Sequence, residues 1–440
     1  MERKIYKKLI NWKNELDRKP LLLQGARQVG KTYCLDKLGK NEFEKYHIFD
    51  FMEHPGLNQI FEQNLQPQRI LRELSIYNDI DINPDKDLII FDEIQQCPKA
   101  LTSLKYFSQK LPDAYIAATG SLLGLGLSSD SFPVGKVHRY KLYPMDFEEF
   151  LQAMGQTRLV ELLNCLTHKN PIVEPIHQKI WTFFKYFMIT GGLPEVVKNF
   201  CKNMDTPSKA FSITRKLQKN LLKDYIDDIA KHSGKLKSVK IEAVFKNIPV
   251  QLARESKGIK KFIFKDVLSN ASRYSVLEAP IEWLIKAGLI IKTPICNKAQ
   301  LPLQAFSNEK RFKLYLFDVG ILGYMLDLSP GAIFSYNYGS YKGYFAENIV
   351  LTELVSHWDK TIYSWNQNTS EIEFLMAYED NIIPVEVKAG INTKAKSLRM
   401  YNQYYSPETA LLFSGRPMLP PIKNTMQLPL YTASKFQLLI

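Results

Sequence analysis

The run Gly25-Ala26-Arg27-Gln28-Val29-Gly30-Lys31-Thr32 fits the pattern G-x-x-x-x-G-K-[ST] without a gap. It follows the apolar stretch Pro20-Leu21-Leu22-Leu23 and leads into Tyr33-Cys34-Leu35-Asp36-Lys37-Leu38, so the context is strand, glycine loop, helix. Glycines at both ends let the loop curl until successive backbone N–H groups and the helix N-terminus converge on one anionic centre. Lys31 adds a mobile positive charge, and Thr32 would present its hydroxyl to Mg²⁺. The bland alternative is a chance match, which ordinary Gly, Lys and Ser/Thr frequencies make rare in a chain of 440 residues. The run therefore predicts a phosphate-binding α/β domain that takes ATP.

Asp87-Leu88-Ile89-Ile90-Phe91-Asp92-Glu93 reads as a strand buried on both faces, as in a parallel sheet, ending in two carboxylates. Asp92 can hold Mg²⁺ through water while Glu93 polarises the water that attacks the γ-phosphate. Alone, such a pair would be two exposed acids at a strand end; behind a full phosphate loop it reads as catalytic. Tyr46–Asp50 and Tyr115–Ser121 look like further strands, and Leu142 belongs to a fifth. Where an ATPase inserts a strand between its loop strand and its acidic strand, the end of that strand senses the γ-phosphate. Thr119 and Ser121 fit that place, with a simple turn as the alternative. Met1 to Lys19 reads as an amphipathic helix carrying Ile5, Leu9, Ile10 and Leu16, expected to pack ahead of the first strand.

The length exceeds what one core organises, so two to four domains are expected. Lys plus Arg number 58 against 45 Asp plus Glu, a net charge of +13. That surplus favours an anionic partner such as double-stranded DNA, or is merely a soluble basic surface. Cys34, Cys97, Cys165, Cys201 and Cys296 form no C-x-x-C pair, which argues against a disulfide framework or a zinc site. The N-terminus lacks an apolar signal core, and no stretch is long and apolar enough to span a bilayer, so a cytoplasmic protein without membrane contact is expected.

Gly191-Gly192-Leu193-Pro194-Glu195 breaks a helical pattern and fixes a turn. The Gly192-x-Pro194 element is similar to one that leans on the nucleotide base in signal-transduction ATPases. From Lys223 to Ile291 the pattern is helical, with a basic first half at Lys235, Lys237, Lys240, Lys246, Arg254, Lys257, Lys260, Lys261 and Lys265. Ser275-Val276-Leu277-Glu278 is a capping box that starts a helix with Leu277, Ile281, Leu284 and Ile285 on one face, closed by Gly288. Leu289-Ile290-Ile291 then turns to strand. That order is a winged helix-turn-helix, suited either to duplex DNA or to protein packing.

Glu347 falls in a helix, whereas Glu371–Leu375 and Ile383–Lys388 alternate as strands do, placing Glu386 and Lys388 on one face. Carboxylates plus a lysine are what Mg²⁺-dependent phosphodiester cleavage requires. The pattern resembles the PD-(D/E)xK nucleases, with Glu347 as the helix acid and Glu386 and Lys388 as the strand pair. Glu373 stands where those enzymes have Asp, an arm longer by roughly 1.5 Å.

The whole chain resembles the bacterial and archaeal AAA-family ATPases that carry a C-terminal domain of unknown function related to restriction endonucleases. The resemblance rests on G-A-R-Q-V-G-K-T, I-I-F-D-E-I-Q, A-T-G-S-L-L, F-P-V-G-K-V, L-Y-P-M-D-F-E-E-F-L and the lysine, strand, Asp-x-Gly run from Lys313 to Gly320. It implies an additional-strand, AAA-like P-loop core over residues 1–160, a helical lid over 161–222, a winged helix over 223–305 and a restriction-endonuclease-like α/β domain over 306–440. By the same similarity Gly135 and Lys136 sit where the family has a Gly-Arg pair; lysine lacks the planar fork of an arginine finger, and Arg139 is the nearest substitute. The expected function is an ATP-hydrolysing switch coupled to a nucleic-acid-facing half. A nucleotide-dependent module that binds a protein partner or a second copy through a degenerate nuclease fold, and a Mg²⁺-dependent DNA endonuclease, remain the alternatives.

Overall fold

Runs of apolar residues build the first sheet. The computed structural model describes the chain apart from residues 122–132, 168–169, 234, 256–260, 269–272, 338, 368–369, 392–393 and 440. The chain divides into two units, Glu2–Tyr143 with Lys286–Gly288, and Pro144–Ile285 with Leu289–Ile440.

In the first unit β1 (Leu21–Gly25), β2 (Tyr46–Asp50), β3 (Leu88–Asp92), β4 (Tyr115–Ser121) and β5 (His138–Leu142) lie in the order β2-β3-β4-β1-β5. All four pairings are parallel. The extra strand β4 thus separates the acidic strand from the loop strand, as expected. Leu21–Leu23, Leu88–Phe91 and Ile116–Ala118 are fully buried because crossover helices cover both faces. Phe91 lies within 6.3 Å, centroid to centroid, of Phe49, Phe51, Phe61 and Phe107. Such aromatic pairs add about 0.5–1.5 kcal/mol each beyond area burial. The opening helix runs Ile5–Lys13 and buries Ile5, Leu9 and Trp12. It stops before Leu16, which is fully exposed instead of packed.

The second unit is built on an eight-stranded mixed sheet. Its strands are β6 (Ile290–Cys296), β7 (Ser307–Leu316), β8 (Tyr363–Gln367), β9 (Ser370–Tyr378), β10 (Asn381–Val387), β11 (Ala410–Ser414), β12 (Leu419–Ile422) and β13 (Thr425–Pro429), ordered β12-β13-β11-β10-β9-β8-β6-β7. β6, which begins in the expected strand Leu289–Ile291, pairs antiparallel with β7 and continues this sheet through the parallel β6–β8 pairing of Ile295 with Ser364. The helix ahead of β6 spans Tyr274–Ala287, so Ser275 lies in its first turn and not at its cap. Leu277, Ile281 and Leu284 are buried, Ile285 is half-buried, and Gly288 adopts φ 72. Lys257 and Lys260 lie outside the described residues, as do the side chains of Lys235 and Arg254.

One buried carboxylate joins three of the sequence blocks. Asp318, 2% exposed, accepts the Gly192 N–H at 2.7 Å and the Ile321 N–H at 2.9 Å. A Cβ on Gly191, at φ 68, would stand 2.3 Å from Asp318 Oδ1, and one on Gly192 would stand 2.1 Å from the Met145 carbonyl. Only glycine fits at either position. The Met145 N–H in turn donates to Gly192 O at 2.7 Å. Asp146 caps the helix Phe147–Ala153 in a full capping box and meets His357 at 2.8 Å, the Phe147 N–H donates to Glu353 at 3.0 Å, and Glu148 pairs with Lys435 at 2.5 Å. Every polar side chain of the M-D-F-E-E block is therefore committed within this unit.

Candidate nucleotide-binding site

The loop Gly25–Lys31 joins β1 to the helix Lys31–Glu42, and two left-handed residues shape it: Gln28 at φ 65 and Gly30 at φ 93. Gly25 is required by close approach, since a Cβ there would lie 2.4 Å from the Leu142 carbonyl. Ala26 and Val29 are buried, Arg27 and Gly30 are half-buried, and Gln28 and Thr32 are exposed. Lys31, 5% exposed, donates to Gly25 O at 3.2 Å and Ala26 O at 3.0 Å. Burial lowers its pKa, opposed by the charges of Glu93 and Asp92. A desolvated ammonium resting on loop carbonyls is poised to turn to an anion.

The C-terminal ends of the parallel strands bring the acids to this loop, the edge at which such sheets bind ligands. Asp92, 4% exposed, has both carboxylate oxygens 3.0 Å from Thr32 Oγ1. Burial raises its pKa, and the hydroxyls of Thr119 and Thr32 oppose that shift. The Thr119 hydroxyl donates to Asp92 and accepts the Glu93 N–H at 3.1 Å, so one side chain fixes both acids. Glu93 adopts φ 51 at the strand end, which turns its side chain out of the sheet register. A Gln95 amide N–H donates to Glu93, while the Gln95 carbonyl accepts the Ser121 N–H at 3.3 Å. Gln95 was not anticipated; its place two residues past the acid, in I-I-F-D-E-I-Q, was the available signal.

The other predicted positions distribute as follows. Pro194 opens the helix Pro194–Lys202 in the second unit, and the two glycines before it are accounted for by Asp318 and Met145. Gly135 adopts φ 71 with open space around it, and Arg139 lies exposed on β5. Leu122, Leu123 and Phe132 of the A-T-G-S-L-L and F-P-V-G-K-V blocks lie outside the described residues.

The carboxylates of the second unit do converge, but with lysines among them. Lys388 lies 2.5 Å from Glu386 and 3.9 Å from Glu373, and the Val387 N–H donates to Glu373 at 3.2 Å. Lys313, 3% exposed, lies 2.5 Å from Glu371 and 3.7 Å from Glu347, which also accepts the Tyr315 hydroxyl at 3.0 Å. Burial pushes Glu373 well above the ordinary carboxylate range, with the Glu386 charge adding to it. Burial also raises Glu386, against the pull of Lys388. Among the described residues no group of three or more His, Cys, Asp or Glu side chains is arranged to hold a metal ion. Of the residues expected for a second Mg²⁺ site, Glu373, Glu386 and Lys388 lie together, while Glu347 is engaged by Lys313 and Tyr315. Lys313 and Glu371 were the unforeseen members.

At the nucleotide site the donor set does suit Mg²⁺ with a polyphosphate: a threonine hydroxyl beside a carboxylate, and a buried ammonium next to them. Among the described residues no helix is long and apolar enough to cross a membrane.

Residues 17–151 match the family described as AAA domain. Residues 182–332 and 342–431 match two domains of unknown function, DUF8612 and DUF4143. Among solved structures, the chain is similar to a Walker-type ATPase of Pyrococcus abyssi, with 15% identity, 74% of this chain and 95% of that chain covered, and a TM-score of 0.46. It is also similar to the Thermotoga maritima RuvB Holliday junction branch migration motor, with 16% identity, 69% and 91% covered, and a TM-score of 0.31. No curated protein matches the chain.

Proposed function

We propose that this chain, whose residues 17–151 form an AAA-family ATPase domain, hydrolyses ATP as a switch and that its second unit faces nucleic acid. The observation that carries the first part is the Thr32 hydroxyl against the Asp92 carboxylate at 3.0 Å, with Lys31 buried beside them. In this reading the loop N–H groups and Lys31 bind the phosphates, while Thr32 and Asp92 hold Mg²⁺. The ion, when bound, neutralises charge on the phosphate oxygens. Glu93 accepts a proton from the attacking water, Gln95 orients Glu93, and Thr119 keeps Asp92 and the Glu93 backbone in register.

The nucleic-acid part is supported by the helix Pro207–Ser233. From Pro207 to Lys223 it carries Lys209, Arg215, Lys216, Lys219 and Lys223 and no acid. The four lysines are exposed at helical spacing, whereas Arg215 turns inward to Gln218 and Leu328 O, both at 2.6 Å. Glu373 in the place of an Asp, and Glu347 engaged by Lys313 and Tyr315, favour a degenerate nuclease fold over an active endonuclease. Wild-type protein with Mg-ATP should release phosphate, more rapidly with double-stranded DNA, and Lys31→Ala should abolish the release. Equal rates for the two proteins would remove the ATPase reading; no effect of DNA would remove the coupling.

A further inference from the structure

The hydrogen bonds around the phosphate loop include one side chain from outside every motif. Arg3 precedes the opening helix and is 7% exposed. Its Nη1 donates to the Val29 carbonyl at 2.7 Å and its Nη2 donates to the Tyr143 carbonyl at 2.7 Å. We propose that Arg3 is a positioning residue for the phosphate loop, holding it in its nucleotide-ready shape by clamping it to the chain's exit from β5.

Val29 sits between the two left-handed residues, Gln28 at φ 65 and Gly30 at φ 93. A loop whose N–H groups face an anion must turn carbonyls the other way, and a buried carbonyl needs a donor. The guanidinium supplies one through one arm of its planar fork, a charge-assisted bond of the stronger kind. The other arm reaches Tyr143, next to Leu142, whose carbonyl closes on Gly25. Residues 142–143 thereby brace the loop near both ends: directly at Gly25, and through Arg3 at Val29.

Arg3 is itself well delivered. The Tyr6 N–H donates to Arg3 O at 3.0 Å, Leu9 and Trp12 of the opening helix are fully buried, and Trp12 Nε1 donates to Lys19 O at 2.8 Å. Lys13 pairs with Glu42 at 3.3 Å, fastening that helix to the one that follows the loop. A rigid helix therefore carries the guanidinium to the far side of the loop, where it can set backbone shape without touching the nucleotide. Lysine at this position keeps the charge and loses the fork, so it can brace one carbonyl at a time.

This inference rests on the loop being an ATP site, and the test separates the two. Mg-ATP binding by calorimetry and steady-state phosphate release are measured for wild type, Arg3→Ala and Arg3→Lys. Arg3→Ala should raise the Kd and KM for ATP at least about tenfold, the scale of removing one charge-assisted hydrogen bond, with a smaller change in kcat. Arg3→Lys should fall between, and low-millimolar guanidinium should restore part of the affinity of Arg3→Ala but leave wild type unchanged. Wild-type Kd and KM in Arg3→Ala would overturn the proposal while leaving the ATP site intact. Should Arg3→Ala not fold, Arg3→Lys decides: an unaltered KM there overturns the proposal. Wild type that binds no Mg-ATP would overturn the site reading, and this inference with it.

Discussion

The Thr32 hydroxyl lies 3.0 Å from the Asp92 carboxylate although 60 positions separate them, and Thr119 closes the group from the neighbouring strand β4. β4 stands between β3 and β1 and ends beside both the loop and the acids.

Thr119→Val keeps the shape of that side chain and removes its hydroxyl. Asp92 then loses a donor and the Glu93 N–H loses its acceptor, at about 1–3 kcal/mol for unpaired buried groups. The expected outcome is a kcat lowered by about ten- to a hundredfold with ATP affinity changed much less. Unaltered steady-state kinetics would show that the hydroxyl does not organise the acids.

Asp318 should leave a signature in the pH dependence of stability. Burial raises its carboxyl to about 6, against a usual value near 3.9. The folded state therefore holds the proton more tightly, so this contribution is most favourable below about pH 4 and declines as pH rises through 6. The decline is on the order of 2–3 kcal/mol. Asp318→Asn retains an acceptor for the Gly192 and Ile321 N–H groups and removes the titration. Denaturation series between pH 4 and 7 should show a shallower fall for the variant; parallel profiles would contradict the assignment.

Converting Lys209, Lys216, Lys219 and Lys223 together to glutamine should leave folding intact, since all four are exposed. The slope of log affinity for double-stranded DNA against log salt should flatten by about 0.9 for each phosphate that the variant no longer neutralises. Fluorescence anisotropy at several salt concentrations measures this. An unchanged slope would place any DNA-binding surface elsewhere.

Lys313→Met removes a buried ammonium from beside Glu347 and Glu371. Leaving such acids without their cation typically costs about 3–5 kcal/mol. Chemical denaturation should show a loss of that size, whereas an exposed, solvated lysine would show almost none.

The loop and the acidic pair were legible because their chemistry is written in adjacent residues. Gln95 and Arg3 were not, because their importance lies in which carbonyl or carboxylate the folded chain sets in front of them. Gly191 and Gly192 were visible as a break, but the reason for them, a carboxylate arriving from Asp318, is tertiary. β12 was hidden by Pro420 and Pro421, residues tolerated in a strand only at a sheet edge, which is where it lies. Leu16 reads as part of a buried face because the apolar spacing continues past Lys13, where the helix itself ends. Glu347, Glu373 and Glu386 were foreseen as a set; the pairing of Glu347 with Lys313 depends on the alignment of β7 with the helix Lys342–His357, which no local pattern encodes.

Glu93→Gln gives the most direct test of the proposed chemistry, because it removes the base and keeps the size and the Gln95 contact. Phosphate release from saturating Mg-ATP should fall by at least about a hundredfold while calorimetry shows ATP binding within a few-fold of wild type. Release at the wild-type rate from that variant would mean that the acid at the end of β3 does not activate the attacking water.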